Sequence, residues 1–204
     1  MIVIVDYDAG NIGSVANICK KAGGKAEISA DPERIAAAAK LILPGVGHFG
    51  RAMERLNASG IRAALDAAHT RGAPILGICL GMQLLLSHSE EGDAAGLGWI
   101  AGEVRRFVLP APLKVPHMGW NDLHFTRPDV LTQGLEDEAR FYFVHSYYAE
   151  ATDRADVLAR TDYGGEFDSV VRRGNVWGIQ CHPEKSHKYG LTFIRNFIEK
   201  VPGL

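Results

Sequence analysis

The sequence has few of the residues that mark cross-linked or metal-binding proteins. Only three of its 204 residues are cysteines, at positions 19, 79 and 181. Their number is odd, and their spacing is neither that of a disulfide framework nor that of a zinc site. We therefore expect no metal and no cofactor. Free thiols also favour a reducing compartment, the cytoplasm.

The chain also lacks a charge excess and a membrane-length apolar run. Its 22 Lys and Arg residues nearly balance 24 Asp and Glu residues, for a net charge of −2. This balance gives no electrostatic reason to expect a nucleic acid or a membrane as partner. No apolar stretch approaches the ~20 residues that span a bilayer, and the opening residues 1–6 lack the basic leader of a signal peptide.

The composition is that of an ordinary globular enzyme, without repeats, linkers or low-complexity tracts. Hydrophobic residues make up 47% of the chain. The length fits one domain that covers residues 1–204.

The first half alternates apolar runs with helix-like stretches, which predicts a largely parallel sheet with helices on both faces. Strands are predicted at 2–5, 25–29, 41–43 and 75–78, and helices at 12–22, 32–39, 49–56, 61–70 and 80–87. The second half predicts an attached antiparallel sheet before a last helix. Its strands are predicted at 103–108, 121–125, 141–147, 157–161, 167–172 and 176–180, and the helix at 191–201.

A cysteine falls at the predicted turn from the fourth strand into a helix, within Gly77-Ile78-Cys79-Leu80-Gly81. Glycines on both sides suit a tight elbow, from which a thiol can stand exposed above the sheet edge. The start of a helix also favours the thiolate. An isolated cysteine is more often a small core residue, but the two glycines favour a nucleophile.

A candidate base and its partner follow the last predicted strand, in Cys181-His182-Pro183-Glu184. Residues two apart in an extended segment point the same way, so His182 and Glu184 can share a face. A thiol nucleophile needs a base, and the base needs an acidic partner that fixes its tautomer. Because both segments end strands at one sheet edge, the sequence predicts a triad of Cys79, His182 and Glu184.

The loop after the third strand, residues 44–50, is rich in glycine. Gly45 and Gly47 allow backbone amides to turn toward a developing oxyanion, with the amide of Leu80 as second donor. The loop also matches the G-x-G-x-x-G dinucleotide fingerprint. We disfavour this interpretation, because the loop follows the third strand and the acid at the expected distance, Asp66, lies in a helical pattern.

Taken together, these motifs resemble the class I glutamine amidotransferases, cysteine hydrolases that release ammonia from glutamine for a synthase partner. More specific similarity is to the glutaminase subunits of imidazole glycerol phosphate synthase, in histidine biosynthesis. It is carried by residues 44–49, 116–121, 143–147 and 182–186. Cys181 departs from the phenylalanine that is usual in that family. The resemblance implies an α/β, flavodoxin-like fold, with a mixed, mostly parallel central sheet flanked by helices and an added antiparallel sheet.

The resemblance also implies roles for individual residues. Cys79 would attack the side-chain amide of L-glutamine, and amides of the Val46-Gly47 segment and of Leu80 would hold the oxyanion. The amino-acid end of the substrate would meet Gln83, Glu91 and the backbone of His145, Ser146 and Tyr147.

The implied partner is a (β/α)8-barrel cyclase, in a heterodimer with this chain. The barrel would conduct ammonia to a phosphoribosyl-formimino-carboxamide nucleotide, giving imidazole glycerol phosphate and aminoimidazole carboxamide ribotide. Family positions near the interface match Asn11, Met118, Trp120 and Lys185. The resemblance further implies little glutaminase activity until the cyclase binds its nucleotide.

Two other functions stay open at this point. The chain could serve a different synthase, although the residues at the implied interface speak against it. It could also be a noncatalytic protein in which Cys79 is a redox-sensing thiol, which would leave His182-Pro183-Glu184 without a role.

Overall fold

A computed structural model describes residues 1–135 and 139–204, and its first part alternates strands and helices. In chain order the elements are β1 Ile2–Val5, α1 Ile12–Lys21, β2 Ala26–Ser29, α2 Pro32–Ala36, β3 Lys40–Gly45, α3 Phe49–Ala58, α4 Ile61–Thr70, β4 Ile75–Cys79 and α5 Leu80–Leu84.

The rest of the described chain is mostly strand. Its elements are β5 Leu86–Ser89, β6 Ala94–Ala95, β7 Ile100–Arg106, β8 His117–Asp122, β9 His124–Phe125, β10 Arg140–His145, β11 Tyr147–Ala151, β12 Val157–Asp162, β13 Glu166–Arg173, β14 Val176–Ile179 and the helix α6 His187–Glu199. Single 3-10 turns occur at Val130–Thr132, Arg154–Asp156 and Pro183–Lys185.

One mixed sheet runs through the molecule in the order β2-β1-β3-β4-β14-β13-β11-β7-β5-β6. Strands β2, β1, β3 and β4 are parallel, as predicted for the alternating half. Strand β14 also pairs in parallel with β4, although it lies in the half predicted to be antiparallel. Antiparallel pairing begins at β13, so most of the second half extends the parallel sheet. Strands β8 and β10 form a separate two-stranded sheet. The predicted fold class is confirmed. The antiparallel strands are more closely joined to the parallel sheet than predicted, because most of them continue it.

The apolar runs of β1, β3 and β4 are buried because helices cover both faces of the sheet. On one face, Val3 and Leu41 belong to a core that includes Leu56 of α3. On the other face, Ile4 belongs to a core that includes Phe193 of α6. No helix in the described part of the chain is long and apolar enough to cross a membrane.

Two element predictions were wrong in ways that matter for the site. The helix predicted over 80–87 ends at Leu84, because Leu86 pairs with Ile100 and starts β5. The strand predicted over 141–147 is two strands, because β10 pairs with β8 whereas β11 pairs with β7. Ser146 stands between these two strands.

Candidate active site

Cys79 lies at a strained elbow between β4 and α5. Its backbone has φ 54° and ψ −110°, a conformation that side-chain-bearing residues rarely adopt. A Cβ at Gly77 would lie 2.5 Å from the carbonyl oxygen of Gly81, and one at Gly81 would overlap the carbonyl oxygen of Leu43. The two glycines therefore let the elbow close on itself and on β3. The thiol is less open than expected, since Cys79 is only 6% exposed.

His182 and Glu184 are in direct contact. Nδ1 of His182 lies 2.8 Å from Oε1 of Glu184, and both side chains are 2% exposed. The expected extended segment is absent, because Pro183–Lys185 form a single 3-10 turn. It is this turn that brings Glu184 back toward the imidazole.

The contact fixes where the imidazole carries its proton. A carboxylate only accepts, so Nδ1 donates to Glu184, and Nε2 has no hydrogen-bond partner among the described residues. Burial lowers the pKa of His182, but its interactions with the Cys79 sulfur and the Glu184 carboxylate outweigh burial and raise that pKa to about 10. The interaction with Cys79 places the imidazole beside the sulfur, where it can act as a base toward it.

The sheet explains how two distant segments meet. Strands β4 and β14 are parallel neighbours, with Ile78 opposite Ile179. The residues that follow, Cys79 and Gln180, therefore leave the same carboxyl edge of the sheet side by side. The sequence analysis predicts this shared edge for Cys79 and His182.

The glycine-rich loop begins where β3 meets the elbow. A Cβ at Gly45 would lie 2.9 Å from the amide nitrogen of Gly81. Beyond it the chain is uncrowded: Val46 is 45% exposed, and a Cβ at Gly47, whose φ is 111°, would meet nothing within 4 Å. The segment proposed to hold an oxyanion therefore has room to reorient.

A buried tyrosine, which has no recognisable motif in the sequence, fixes the first residue of this loop. The hydroxyl of Tyr7 donates to the carbonyl of Pro44 at 2.7 Å. Burial, and then the charge of Cys79, raise the pKa of Tyr7. Its position just beyond β1, at the same carboxyl edge, was the available signal.

The structure does not support the interpretation of this loop as a dinucleotide-binding fingerprint. Asp66 lies on α4, where its carboxylate accepts from Arg62 at 2.7 Å and from Trp99 at 3.1 Å. Its carboxylate is thus engaged by other side chains.

Gln83, on α5, is held from two sides. Its Nε2 donates to the carbonyl of Tyr147 at 2.9 Å and to Oε1 of Gln180 at 3.0 Å. Both N–H groups of the amide are therefore used. What Gln83 can still offer is its oxygen, an acceptor.

Glu91 and the 145–147 segment are also engaged. Oε2 of Glu91 accepts from the amide of Phe49 at 2.8 Å, at the start of α3 beside the glycine-rich loop. The carbonyl of Tyr147 accepts from the buried His145 ring at 2.7 Å, and that of Ser146 from the backbone at 3.1 Å. Because a carboxylate only accepts, the amide groups of the 145–147 backbone are what could bind one.

Most of the residues matched to an interface share one surface. Met118 is 60% and Trp120 42% exposed on β8. The Trp120 ring stacks on His187 at 5.2 Å, and Lys185 Nζ lies 5.6 Å from the centre of the Tyr142 ring. We call these five residues the aromatic face. Tyr142 and His187 were not found from the sequence. Asn11 is exposed at the start of α1, whose residue Ser14 lines one groove together with Lys185 and His187.

The main chain of Tyr142 ties the aromatic face to the imidazole. The amide of His182 donates to the carbonyl of Tyr142 at 2.9 Å. The amide of Tyr142 donates to Ser186 Oγ at 3.0 Å, which in turn donates to the carbonyl of His182 at 2.6 Å. Strand β10 and the His182 turn are thus closed into a ring of hydrogen bonds.

The site and the fold together indicate the class of enzyme. A thiol at a strained strand-to-helix elbow, beside a buried imidazole–carboxylate pair at the carboxyl edge of an α/β sheet, is the arrangement of a cysteine hydrolase. The family described as glutamine amidotransferase class-I matches residues 3–201.

Curated relatives narrow the class. The imidazole glycerol phosphate synthase subunit HisH 2 of Methanococcus maripaludis is 46% identical over 98% of this chain and all of its own length. The HisH subunits of Moorella thermoacetica and Sulfurimonas denitrificans are 49% and 50% identical, over 98% and 97% of this chain and 95% and 97% of theirs. The chain belongs to the HisH family of class I glutamine amidotransferases.

Solved structures agree on the fold. A glutamine amidotransferase crystal structure superposes with a TM-score of 0.76 at 21% identity, covering 98% of this chain and all of the other. PurLQS from Thermotoga maritima gives a TM-score of 0.72 at 21% identity, over 98% and 97% of the two chains.

Proposed function

We propose that this chain is the glutaminase subunit of an imidazole glycerol phosphate synthase, which hydrolyses L-glutamine and passes the ammonia to a cyclase subunit in histidine biosynthesis. The observation that carries the proposal is the meeting of Cys79 with the His182–Glu184 pair at one sheet edge. The end-to-end similarity to HisH subunits supports the assignment of the substrate and the partner.

In the first half of the reaction, the Cys79 thiolate attacks the carbonyl carbon of the glutamine side-chain amide. The carbonyl electrons move onto oxygen, which the amides of Leu80 and the Val46-Gly47 segment stabilise. As the oxyanion collapses, the C–N bond breaks and the His182 imidazolium gives a proton to the leaving nitrogen. The products are ammonia and a glutamyl thioester on Cys79.

In the second half, His182 acts as the base. It takes a proton from water, and the resulting hydroxide adds to the thioester carbonyl. Collapse of this intermediate breaks the C–S bond, releases glutamate and restores the thiolate beside the imidazolium. Glu184 holds the ring through Nδ1 in both halves, so Nε2 is the atom that exchanges protons.

The amino-acid end of glutamine has charges that fit the available groups. Its α-ammonium needs acceptors, and the free oxygen of Gln83 and the carboxylate of Glu91 supply them. Its α-carboxylate needs donors, which the amides of the 145–147 segment supply.

Released ammonia must reach its acceptor before it escapes to bulk water, so a partner has to cover the site. We assign this docking to the aromatic face together with Asn11, and the partner to a cyclase of (β/α)8-barrel form. Exposed Trp and Met suit the centre of such an interface, and Lys185 suits an ion pair at its rim. The free cysteines of the chain fit a cytoplasmic enzyme.

Glutaminase assays with and without the cyclase and its nucleotide test the proposal. Cys79→Ala should abolish glutamate release yet leave synthesis from added ammonium salts intact. Cys19→Ala, which removes a buried thiol on α1 that has no part in the proposed mechanism, is the matched control and should keep glutaminase activity. Loss of both activities in folded Cys79→Ala, or unchanged glutamate release, would count against the proposal.

A further inference from the structure

Gln180 contacts the reacting sulfur, and the mechanism above gives it no role. It follows β14 and is fully buried. Its Nε2 lies 3.7 Å from Sγ of Cys79, within reach of an N–H···S hydrogen bond. A thiol accepts such a bond weakly, whereas a thiolate accepts it strongly because the acceptor is charged.

The orientation of the Gln180 amide follows from its neighbours. The carbonyl of Tyr147 can only accept, so Gln83 must present Nε2 to it. The second proton of that nitrogen goes to Oε1 of Gln180. The opposite end of the Gln180 amide, its NH2 group, therefore faces the sulfur.

The Tyr147 carbonyl is itself fixed. The ring of His145 donates to the same oxygen through Nδ1, at 2.7 Å. Nε2 of His145 is thereby left to accept from Nδ1 of His117, at 3.0 Å. Each donor and acceptor in this series of hydrogen bonds has a single assignment. The backbone carbonyl of Tyr147 therefore determines, through Gln83, that Gln180 turns its N–H toward Cys79.

We propose that Gln180 is a further catalytic residue, which donates an N–H hydrogen bond to the Cys79 sulfur and stabilises it as a thiolate, and that Gln83 is the positioning residue that orients it. The inference deepens the proposed function and rests on it for its place in the reaction. The bond would form before the attack on glutamine and again when the C–S bond of the thioester breaks.

The test measures how fast iodoacetamide alkylates Cys79 as a function of pH. Gln180→Met keeps the length and apolar volume but removes the donor. We expect the midpoint of the pH–rate profile to move up by about one pH unit, and the rate at pH values below that midpoint to fall about tenfold. Gln180→Glu, which places an acceptor and a negative charge at the sulfur, should slow the reaction further.

Alkylation reports on Cys79 with little background. Burial raises the pKa of Cys19 to about 12 and that of Cys181 well above its usual value, so both remain unreactive thiols. Cys79→Ala supplies the blank. Ser169→Ala, on the neighbouring strand β13, is the matched control. The Ser169 carbonyl accepts from the backbone N–H of Gln180 at 2.9 Å, while the Ser169 hydroxyl has no partner among the described residues. Its profile should equal that of the unmodified chain.

Folding of each variant is checked by thermal unfolding. If Gln180→Met does not fold, Gln83→Met is measured instead, and an upward shift of the midpoint is again expected because Gln180 loses its orienting partner. An unchanged profile in the folded variant, or Gln180→Glu as reactive as the unmodified chain, would overturn the inference. Because alkylation needs no glutamine, failure of the inference and failure of the glutaminase assay are separate results.

Discussion

Gly81 sits so close to the carbonyl of Leu43 that β3 and the elbow leave no room for a side chain. At the neighbouring strand end, a Cβ at Gly45 would lie 2.9 Å from the amide nitrogen of Gly81. The elbow and the end of β3 therefore pack backbone against backbone. This packing is possible because Gly45 and Gly81 have a hydrogen atom where other residues have a Cβ.

Gly81→Ala should consequently destabilise the chain by about 3 kcal/mol or more, or prevent folding, because backbone must move to admit the methyl group. Urea unfolding of the isolated chain measures this. Gly13→Ala is the control, since Gly13 lies in α1 and a Cβ there would meet nothing within 4 Å. That change should raise the free energy of unfolding by up to ~1 kcal/mol. Equal stability of the two variants would contradict the packing described for the elbow.

Glu184→Gln removes the charge that holds His182. The pKa of His182 should fall, and glutaminase activity at pH 7 should drop about 10- to 100-fold. The raised pKa also links the pair to stability. His182 binds its proton more tightly in the folded chain, so its contribution is complete below pH 6.5 and is lost as pH rises through about 10.

Unfolding experiments at two pH values check the sign of this linkage. The stability difference between the unmodified chain and Glu184→Gln should be largest near pH 6 and small above pH 10. A difference that grew with pH would contradict the assignment of a charged imidazole.

Motifs revealed Cys79, His182 and Glu184 as candidates, because each belongs to a short run with its own chemical logic. Gln180 and Tyr7 were not assigned roles, because theirs depend on distances between segments. Gln180 did carry a signal, since it lies two residues before His182. Which groups its amide would face, however, is decided by the pairing of β4 with β14 and by α5.

At the level of elements, the small sheet of β8 and β10 carries a buried histidine pair. Burial lowers the pKa of His117 to about 4, and burial is also the main cause that lowers the pKa of His145 to about 3. The two rings are thus neutral at pH 7, as their ordered hydrogen bonds require. His117 also stacks between Phe143 and Tyr163, at 4.8 and 4.0 Å.

Neutral buried histidines make the fold sensitive to acid. Between about pH 6.5 and 3 the unfolded chain binds more protons at these sites, so stability falls as pH falls. His117→Phe keeps an aromatic ring in the stack and removes one titrating group. The fall in unfolding free energy from pH 7 to pH 4 should shrink by about 2 kcal/mol or more. His124→Phe, at an exposed position on β9, is the comparison, and an equal acid response in both variants would contradict the account.

Local pattern was a good guide to some elements and a poor one to others. The helix predicted over 61–70 has the same limits as α4, since its apolar stripe packs against the sheet. The pattern of residues 141–147 predicts one strand. The strand divides at Ser146 because its first part pairs with β8 and its last part pairs with β7. Pairing partners distant in sequence decide such a break.

At the scale of the molecule, one continuous sheet with a core on each face supports our proposal of a single domain. Unfolding followed by far-ultraviolet circular dichroism and by tryptophan fluorescence should give coincident transitions in urea. Two separated transitions would indicate two folding units.

The aromatic face predicts where the partner docks. Trp120→Ala should weaken binding of the cyclase by about 2 kcal/mol, or roughly 30-fold in Kd, and leave alkylation of Cys79 in the isolated chain unchanged. Titration calorimetry measures the affinity. Ile28→Ala is the matched control, because Ile28 is 45% exposed on β2, at the far edge of the sheet. Equal affinities for the two variants would exclude this docking site.

The ring of hydrogen bonds through Tyr142 gives this docking a further meaning. In the proposed docking, the ring of Tyr142 would contact the partner, and the backbone of the same residue is hydrogen-bonded to the His182 turn. A subunit that binds β10 would restrict the motion of that histidine and, in the same step, cover the site at which ammonia is released. Glutamine would then be spent chiefly when a recipient for its nitrogen is already in place.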